Sequence, residues 1–272
     1  MCGIIGILGN HQVSPQLVEA LKRLEYRGYD SAGVATVDDD GRLDRRRAVG
    51  KLVNLSDRLV HLPLPGHAGI GHTRWATHGA ATEANAHPHL SGPVAVVHNG
   101  IIENFRELRD EVTRLGLQPE SETDTETVVL LTAWHLGQGL DPIEAARATL
   151  ARLHGAFALA FLFEGETDLM IGARKGSPLA VGHGKGEMFL GSDAIALAPF
   201  TDRITYLEDG DHVIIRRSGA EIFDAEGRPA NREIQQIDVG ATQIDKGGYR
   251  HFMAKEVAEQ PVVLADALNH YI

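Results

Sequence analysis

The chain has 272 residues, a 43% hydrophobic share and a formal net charge of -11, so it can build a full core in one large domain or two small ones. That acidic balance excludes the basic stripe a nucleic-acid groove requires and gives no attraction to an anionic membrane. One cysteine, Cys2, rules out a disulfide within this sequence and fits a reducing, cytoplasmic setting. The opening MetCysGlyIleIleGly has no basic segment before its short apolar run, which argues against a signal peptide. No stretch approaches the roughly 18 apolar residues of a membrane span.

Residues 2 to 8 read as a buried strand at the chain terminus. Ser14 and Pro15 start a helix with Leu17, Val18, Leu21 and Leu24 on one face and Gly28 as its stop. Residues 31–37 and 42–49 flank AspAspAspGly and predict a hairpin. Leu52, Val53, Leu55, Leu59 and Val60 suit a second helix, and 68–72 and 93–98 read as strands around a polar loop. Phe105, Leu108, Val112 and Leu115 mark a third helix, followed by helices over 123–136 and 142–153. From Ala156 to about Arg216 strands dominate: 156–163, 168–173, 187–191 and 212–216. No internal repeat is present. After Val239 the composition turns polar, and the end toward Ile272 reads as the start of a connection. Several strands are unbroken apolar runs, which implies sheets buried on both faces, and we expect two sheets with helices outside.

Four places carry chemistry. Cys2 becomes the first residue if Met1 is removed, as is usual before a small side chain; thiol and α-amine then share one residue. Their ordinary pKa values, about 8.5 and about 7.7 to 8.0, let the amine take the thiol proton and return it to a leaving nitrogen. In GlyHisThrArgTrpAlaThrHisGly, 71–79, Arg74 suits bidentate binding of a carboxylate; a plain surface loop is the alternative. A metal site from His72, His78, His87 and His89 is disfavoured, because the imidazoles follow no ligand spacing. Asn99-Gly100 is a favoured tight-turn dipeptide, but an Asn99 amide and a Gly100 N–H converging on one oxygen also make an oxyanion hole. SerGluThrAspThrGlu, 121–126, reads as an acidic helix cap, with Asp124 holding an ammonium group as the functional alternative.

These segments, with ArgLeuGluTyrArgGlyTyrAspSerAlaGly (23–33), AsnAlaHisProHis (85–89) and HisPheMetAlaLysGlu (251–256), stand in the order of a known family. Together they resemble the N-terminal glutaminase domain of the glutamine–fructose-6-phosphate aminotransferases, class II glutamine amidotransferases. CysGlyIle alone is shared across class II; the blocks at 23–33 and 74–79 are the specific ones. The resemblance implies an α+β fold, the four-layer αββα sandwich of N-terminal-nucleophile hydrolases. It implies hydrolysis of L-glutamine with Cys2 as nucleophile and Asn99 and Gly100 as the oxyanion hole. Arg74 would bind the glutamine α-carboxylate with Thr77 and His78 beside it, and Asp124 the α-ammonium. Trp75 would stand at the mouth of the ammonia path, and Arg27 would support the nucleophile. It implies no cofactor and no metal. Residues 1–239 would be the glutaminase domain, and 240–272 its end and the start of a linker to sugar-phosphate isomerase domains of a homo-oligomeric full-length enzyme. The alternatives are the glutaminase domain of another class II amidotransferase, such as the purine-pathway type, and a silent glutamine-binding module if Met1 is retained.

Overall fold

The computed structural model describes residues 2–28, 30–76, 79–237, 248–249 and 252–271. The chain divides into two units, Met1–Ile237 and Asp238–Ile272. Much of the expected polar connection falls outside the described residues. The second unit contains one described helix, Phe252–Tyr271, with Pro261 in its interior.

The first unit holds two antiparallel sheets. Its strands are β1 (Gly3–Leu8), β2 (Ser31–Val37), β3 (Leu43–Val49), β4 (Ala68–Arg74), β5 (His89–Ser91), β6 (Val94–Ile102) and β7 (Gly155–Phe163). They continue as β8 (Met170–Lys175), β9 (Ala180–His183), β10 (Met188–Gly191), β11 (Arg203–Tyr206), β12 (His212–Arg216), β13 (Gly219–Phe223) and β14 (Gln235–Gln236). One sheet runs β14-β11-β9-β10-β1-β4-β2-β3, the other β13-β12-β8-β7-β6-β5. The helices are α1 (Ser14–Leu24), α2 (Leu52–His61), α3 (Phe105–Arg114), α4 (Thr125–Gly137), α5 (Pro142–Leu150) and α6 (Ala194–Leu197).

Side-chain alternation explains the layers, because successive residues of a strand point to opposite faces. In β1, Ile4 and Leu8 face inward with Ala95, Val97, Ala158, Ala160 and Leu190, forming the core between the sheets. Ile5 and Ile7 face outward onto α1, α2 and α6 through Leu17, Leu21, Leu55 and Leu197. In β6 the inward pair is Ala95 and Val97, while Val94 and Val96 pack on α3 and α4 through Leu108, Val112, Val128 and Leu131. Helix, sheet, sheet and helix stack in that order, as the family resemblance implies. The apolar runs read from the sequence are the strands buried on both faces.

Local readings carry through at most elements. Pro15 opens α1, and its apolar stripe is buried. The AspAspAspGly turn is closed by Asp38, whose Oδ1 accepts from the backbone N–H groups of Asp40 (3.0 Å) and Arg42 (2.8 Å). Two boundaries differ. β6 continues through Ile102, so Asn99-Gly100 lies inside a strand and is no tight turn. β4 reaches Arg74, so half of the expected binding loop is strand.

Where β2 passes beneath the 85–89 segment there is no room for a side chain. A Cβ at Gly33 would lie 2.2 Å from the His87 carbonyl oxygen and 2.9 Å from that of Arg46. Both are backbone atoms in paired or packed segments and cannot rotate away. Gly33→Ala should therefore lower unfolding stability by about 2–3 kcal/mol in urea titration; a loss under about 0.5 kcal/mol would contradict this packing.

Candidate active site

Cys2 stands immediately before β1, and the β1–β4 pairing sets Gly3 opposite Thr73. The register brings the thiol to the backbone of Trp75. The Trp75 N–H donates to Cys2 Sγ at 3.3 Å, and Cys2 Sγ lies 3.6 Å from the Trp75 carbonyl oxygen, to which its S–H donates. Burial pushes the thiol pKa up; the Trp75 N–H and the Arg74 charge oppose that rise, and Asp30 adds to it. The resting thiol thus holds its proton at neutral pH, and a nucleophilic role requires a nearby acceptor.

From the other sheet, β6 delivers Asn99 and Gly100. Asn99 Nδ2 donates to the Cys2 carbonyl at 3.1 Å. Gly100 has φ +125, and a Cβ there would sit 2.0 Å from the Ala156 carbonyl oxygen. Only glycine can hold this backbone against β7 and still line the cleft. The cleft is lined by Cys2, Arg74, Trp75, His87, His98, Gly100, Thr123, Asp124 and Thr125.

Arg74 ends β4 and is buried, with burial pulling its pKa down from the arginine value. Its guanidinium donates to the carbonyls of Ala80 (3.1 Å) and Gly79 (3.4 Å). That turn is held in turn by Glu122, whose Oε2 accepts from Ala80 N (3.1 Å) and Asn85 Nδ2 (2.9 Å). Asp124 is the N-cap of α4, with Oδ1 accepting from Thr125 N (2.9 Å) and Oδ2 from Ile102 N (2.8 Å). The cap reading is therefore correct, and the same buried carboxylate also lines the cleft; a carboxylate has acceptor sites for both. The Trp75 side chain is nearly half exposed at the rim. Thr77 and His78 lie outside the described residues. Arg27 is set back from the cleft lining and pairs with Asp193, to which Tyr26 Oη also donates at 3.0 Å.

Sequence reasoning missed what lies beneath. Four histidines, His72, His87, His89 and His98, are buried together. The His72 and His87 rings are 4.2 Å apart and those of His87 and His89 4.8 Å. Three of these four had been weighed together as metal ligands; their bonded nitrogens face protein oxygens. His72 Nε2 donates to the His98 carbonyl (3.0 Å) and Asn99 Oδ1 (3.1 Å). His87 Nε2 and His98 Nδ1 lie 2.8 and 2.9 Å from Thr125 Oγ1, and His89 Nε2 lies 2.9 Å from Thr123 Oγ1. Burial holds all four neutral: His72 is pushed down to about 3, and His87 and His89 well below the ordinary value. His98 is also lowered by burial, against the pull of Asp124. The available signal was the placement of four His and two Thr inside the very motifs that carry the chemistry.

A cysteine at the head of an inner strand of an αββα sandwich, with the Asn99 amide on its carbonyl and Gly100 on the same cleft, is the arrangement of the N-terminal-nucleophile hydrolase fold. Residues 72–199 match the glutamine amidotransferase domain family. The chain is similar to the B. subtilis glutamine phosphoribosylpyrophosphate (PRPP) amidotransferase structure, with a TM-score of 0.71 at 24% identity over 82% of this chain and 49% of that one. It is 62% identical over its whole length to glutamine–fructose-6-phosphate aminotransferase [isomerizing] of Mesorhizobium japonicum and 61% to that of Brucella suis. It spans 45% of the length of each. The chain resembles the class II glutamine amidotransferases, and its sequence lies far nearer to these fructose-6-phosphate aminotransferases than to the PRPP enzyme.

The buried histidines fix a pH dependence. Their folded pKa values lie below the ordinary imidazole value of about 6.5, so below that pH the unfolded chain binds protons the folded chain does not. Stability therefore falls as pH drops below about 6.5, for His72 by about 1.4 kcal/mol per pH unit until about pH 3, and in the same direction for the other three rings. Calorimetric unfolding at pH 5.5 in buffers of different ionisation enthalpy should show uptake of at least about three protons. Uptake near zero would mean that these imidazoles are charged in the fold.

Proposed function

We propose that this chain, starting at Cys2 after loss of Met1, hydrolyses L-glutamine to L-glutamate and ammonia. It would do so as the ammonia-supplying half of a longer enzyme that makes glucosamine 6-phosphate from fructose 6-phosphate. The observation that carries this reading is the convergence of Cys2, Gly100, Arg74 and Asp124 on one cleft, with Asn99 bonded to the Cys2 carbonyl.

In this reading the Cys2 α-amine takes the thiol proton, and the thiolate forms a C–S bond to the side-chain amide carbon of glutamine. The carbonyl oxygen becomes an oxyanion facing Asn99 Nδ2 and the Gly100 N–H. Collapse breaks the C–N bond as the Cys2 ammonium gives its proton to the nitrogen, which leaves as ammonia. Water then attacks the glutamyl thioester, releasing glutamate and restoring the thiol. Arg74 receives the α-carboxylate, with Thr77 and His78 beside it, and Asp124 receives the α-ammonium. Trp75 covers the rim, and Arg27, through Asp193, supports the start of the chain. No cofactor enters any step.

We assign the glutaminase domain to residues 1–239, and 240–272 to its end and the link toward sugar-phosphate isomerase domains. The chain's division after Ile237 and its 45% share of its relatives' length support this. Among the described residues no helix is long and apolar enough to cross a membrane; with one cysteine in the sequence, the cytoplasm suits the chain. The full-length enzyme is then a homo-oligomer.

The direct test is ammonia release from glutamine by chain whose mass lacks Met1. Cys2→Ala should abolish release while glutamine binding persists, because recognition sits on Arg74 and Asp124. Release at the unsubstituted rate would remove Cys2 as nucleophile, and full activity with Met1 on every molecule would remove the amine as base.

The two-ended clamp has its own signature. Removing one partner of a desolvated charge pair costs about 2–5 kcal/mol. Arg74→Ala should lose most of its preference for glutamine over glutamine α-amide, and Asp124→Ala its preference over an N-acetylated glutamine. The comparison is kcat/KM for three substrates on three proteins. Equal losses on all substrates would move the clamp elsewhere.

A further inference from the structure

Beneath the oxyanion residues, His72 reaches from β4 of one sheet to β6 of the other. Its Nε2 is within hydrogen-bond distance of two atoms, the His98 carbonyl oxygen at 3.0 Å and Asn99 Oδ1 at 3.1 Å. A backbone carbonyl can only accept, so Nε2 carries the proton. A protonated Nε2 in turn requires an acceptor at the Asn99 atom it faces, and that end of the amide is the oxygen. The Cys2 carbonyl, also accept-only, sets the same orientation independently by taking Nδ2 at 3.1 Å.

We propose that His72 is a positioning residue for the oxyanion site: its Nε2–H, registered by the His98 carbonyl, holds the Asn99 side-chain amide with Nδ2 toward the reacting carbon. The proposal rests on the glutaminase reading above. Asn99 is the last buried residue of β6 before exposed Gly100, and its side chain is tied on both ends. A donor that must meet a developing charge without reorganising needs such support. The imidazole is buried, with no measurable exposure, and packs on the His87 ring, so its own orientation is fixed. Its Nδ1 is buried without a hydrogen-bond partner among the described residues, as suits a neutral ring protonated only at Nε2. Burial holds the ring uncharged at working pH. It therefore adds no full charge to the oxyanion, and its contribution is orientation.

The test combines His72→Leu, which removes the donor, with His72→Gln, which keeps an N–H at the ε position. Each is made alone and with Asn99→Ala. His72→Leu should lower kcat for ammonia release about ten- to a hundredfold with KM within about threefold of the unsubstituted chain. His72→Gln should recover kcat to within about threefold of it. On Asn99→Ala, the leucine substitution should cost less than about twofold more, because the group it positions is gone. Unchanged kcat in His72→Leu, or a fully additive loss in the double variant, would overturn the proposal. If the leucine variant does not fold, His72→Asn replaces it: its amide falls short of the ε position, so kcat at least about fivefold below His72→Gln is expected, and equal rates overturn the role. An unsubstituted chain that releases no ammonia would instead defeat the glutaminase reading. The positioning role is then read from crystal structures alone: Asn99 rotated from the Cys2 carbonyl without the His72 donor supports it, and an unmoved amide overturns it.

Discussion

The hydrogen bond from Asn99 Nδ2 to the Cys2 carbonyl is the contact on which the site's geometry depends. The two residues belong to different sheets, and between those sheets lies an apolar core of small and branched side chains such as Ala95, Val97, Ala158 and Ala160. Apolar packing sets how closely two sheets approach but gives little angular precision on its own, because it is not directional. Directional bonds across the same gap supply that precision. The His72 bond to the His98 carbonyl is a second one, one residue away along β6. Together they index the start of β1 against the far end of β6.

Burial has opposite consequences for the two kinds of titratable group placed there. For the histidines it removes charge, leaving uncharged donors and acceptors that satisfy Thr123, Thr125, Asn99 and the His98 carbonyl. For the thiol it also favours the uncharged form, which here is the protonated and less nucleophilic one. The same dry surroundings that make the imidazole network rigid thus oblige Cys2 to rely on a base. An imidazole serving as that base would need a pKa near neutrality, and burial lowers all four buried rings, so none of them keeps its ordinary value. The α-amine of a chain starting at Cys2 does, by its ordinary value of about 7.7 to 8.0. That value suits the amine to the part it takes in the proposed reaction.

Much of this was legible from the sequence because the inner strands are written as apolar runs and the helices as apolar stripes. β1, α1, the β2–β3 hairpin, α2, α3 and β7 follow from periodicity and turn chemistry alone. The strands missed, β5, β9, β11, β13 and β14, are two to five residues long and lack the run of three apolar residues that marks the equally short β10 and β12. Asn99-Gly100 misleads for a physical reason: a positive φ at glycine is the turn signal, and here the same φ serves a close approach to Ala156 within a strand. The candidate residues were readable as motifs, but the histidine network was not. Its partners are 26 to 38 residues apart, and a lone His in a polar segment carries no mark of burial. The order of motifs along the chain supplied the family resemblance; local spacing could not.

In the proposed reading, Asp124 joins a structural role and a binding role in one side chain. As the N-cap of α4 it presents Oδ1 to the Thr125 N–H, which fixes its rotamer. Its second oxygen takes the Ile102 N–H, where β6 ends, so one carboxylate ties the helix to the strand that carries Asn99. An acceptor already held by two backbone donors loses no further conformational freedom when a ligand ammonium arrives. In that reading capping and recognition reinforce each other: the bonds that build the helix start also preorganise the carboxylate oxygens. The sequence presents these as competing readings only because a motif shows which residue is present and not how many of its lone pairs are used.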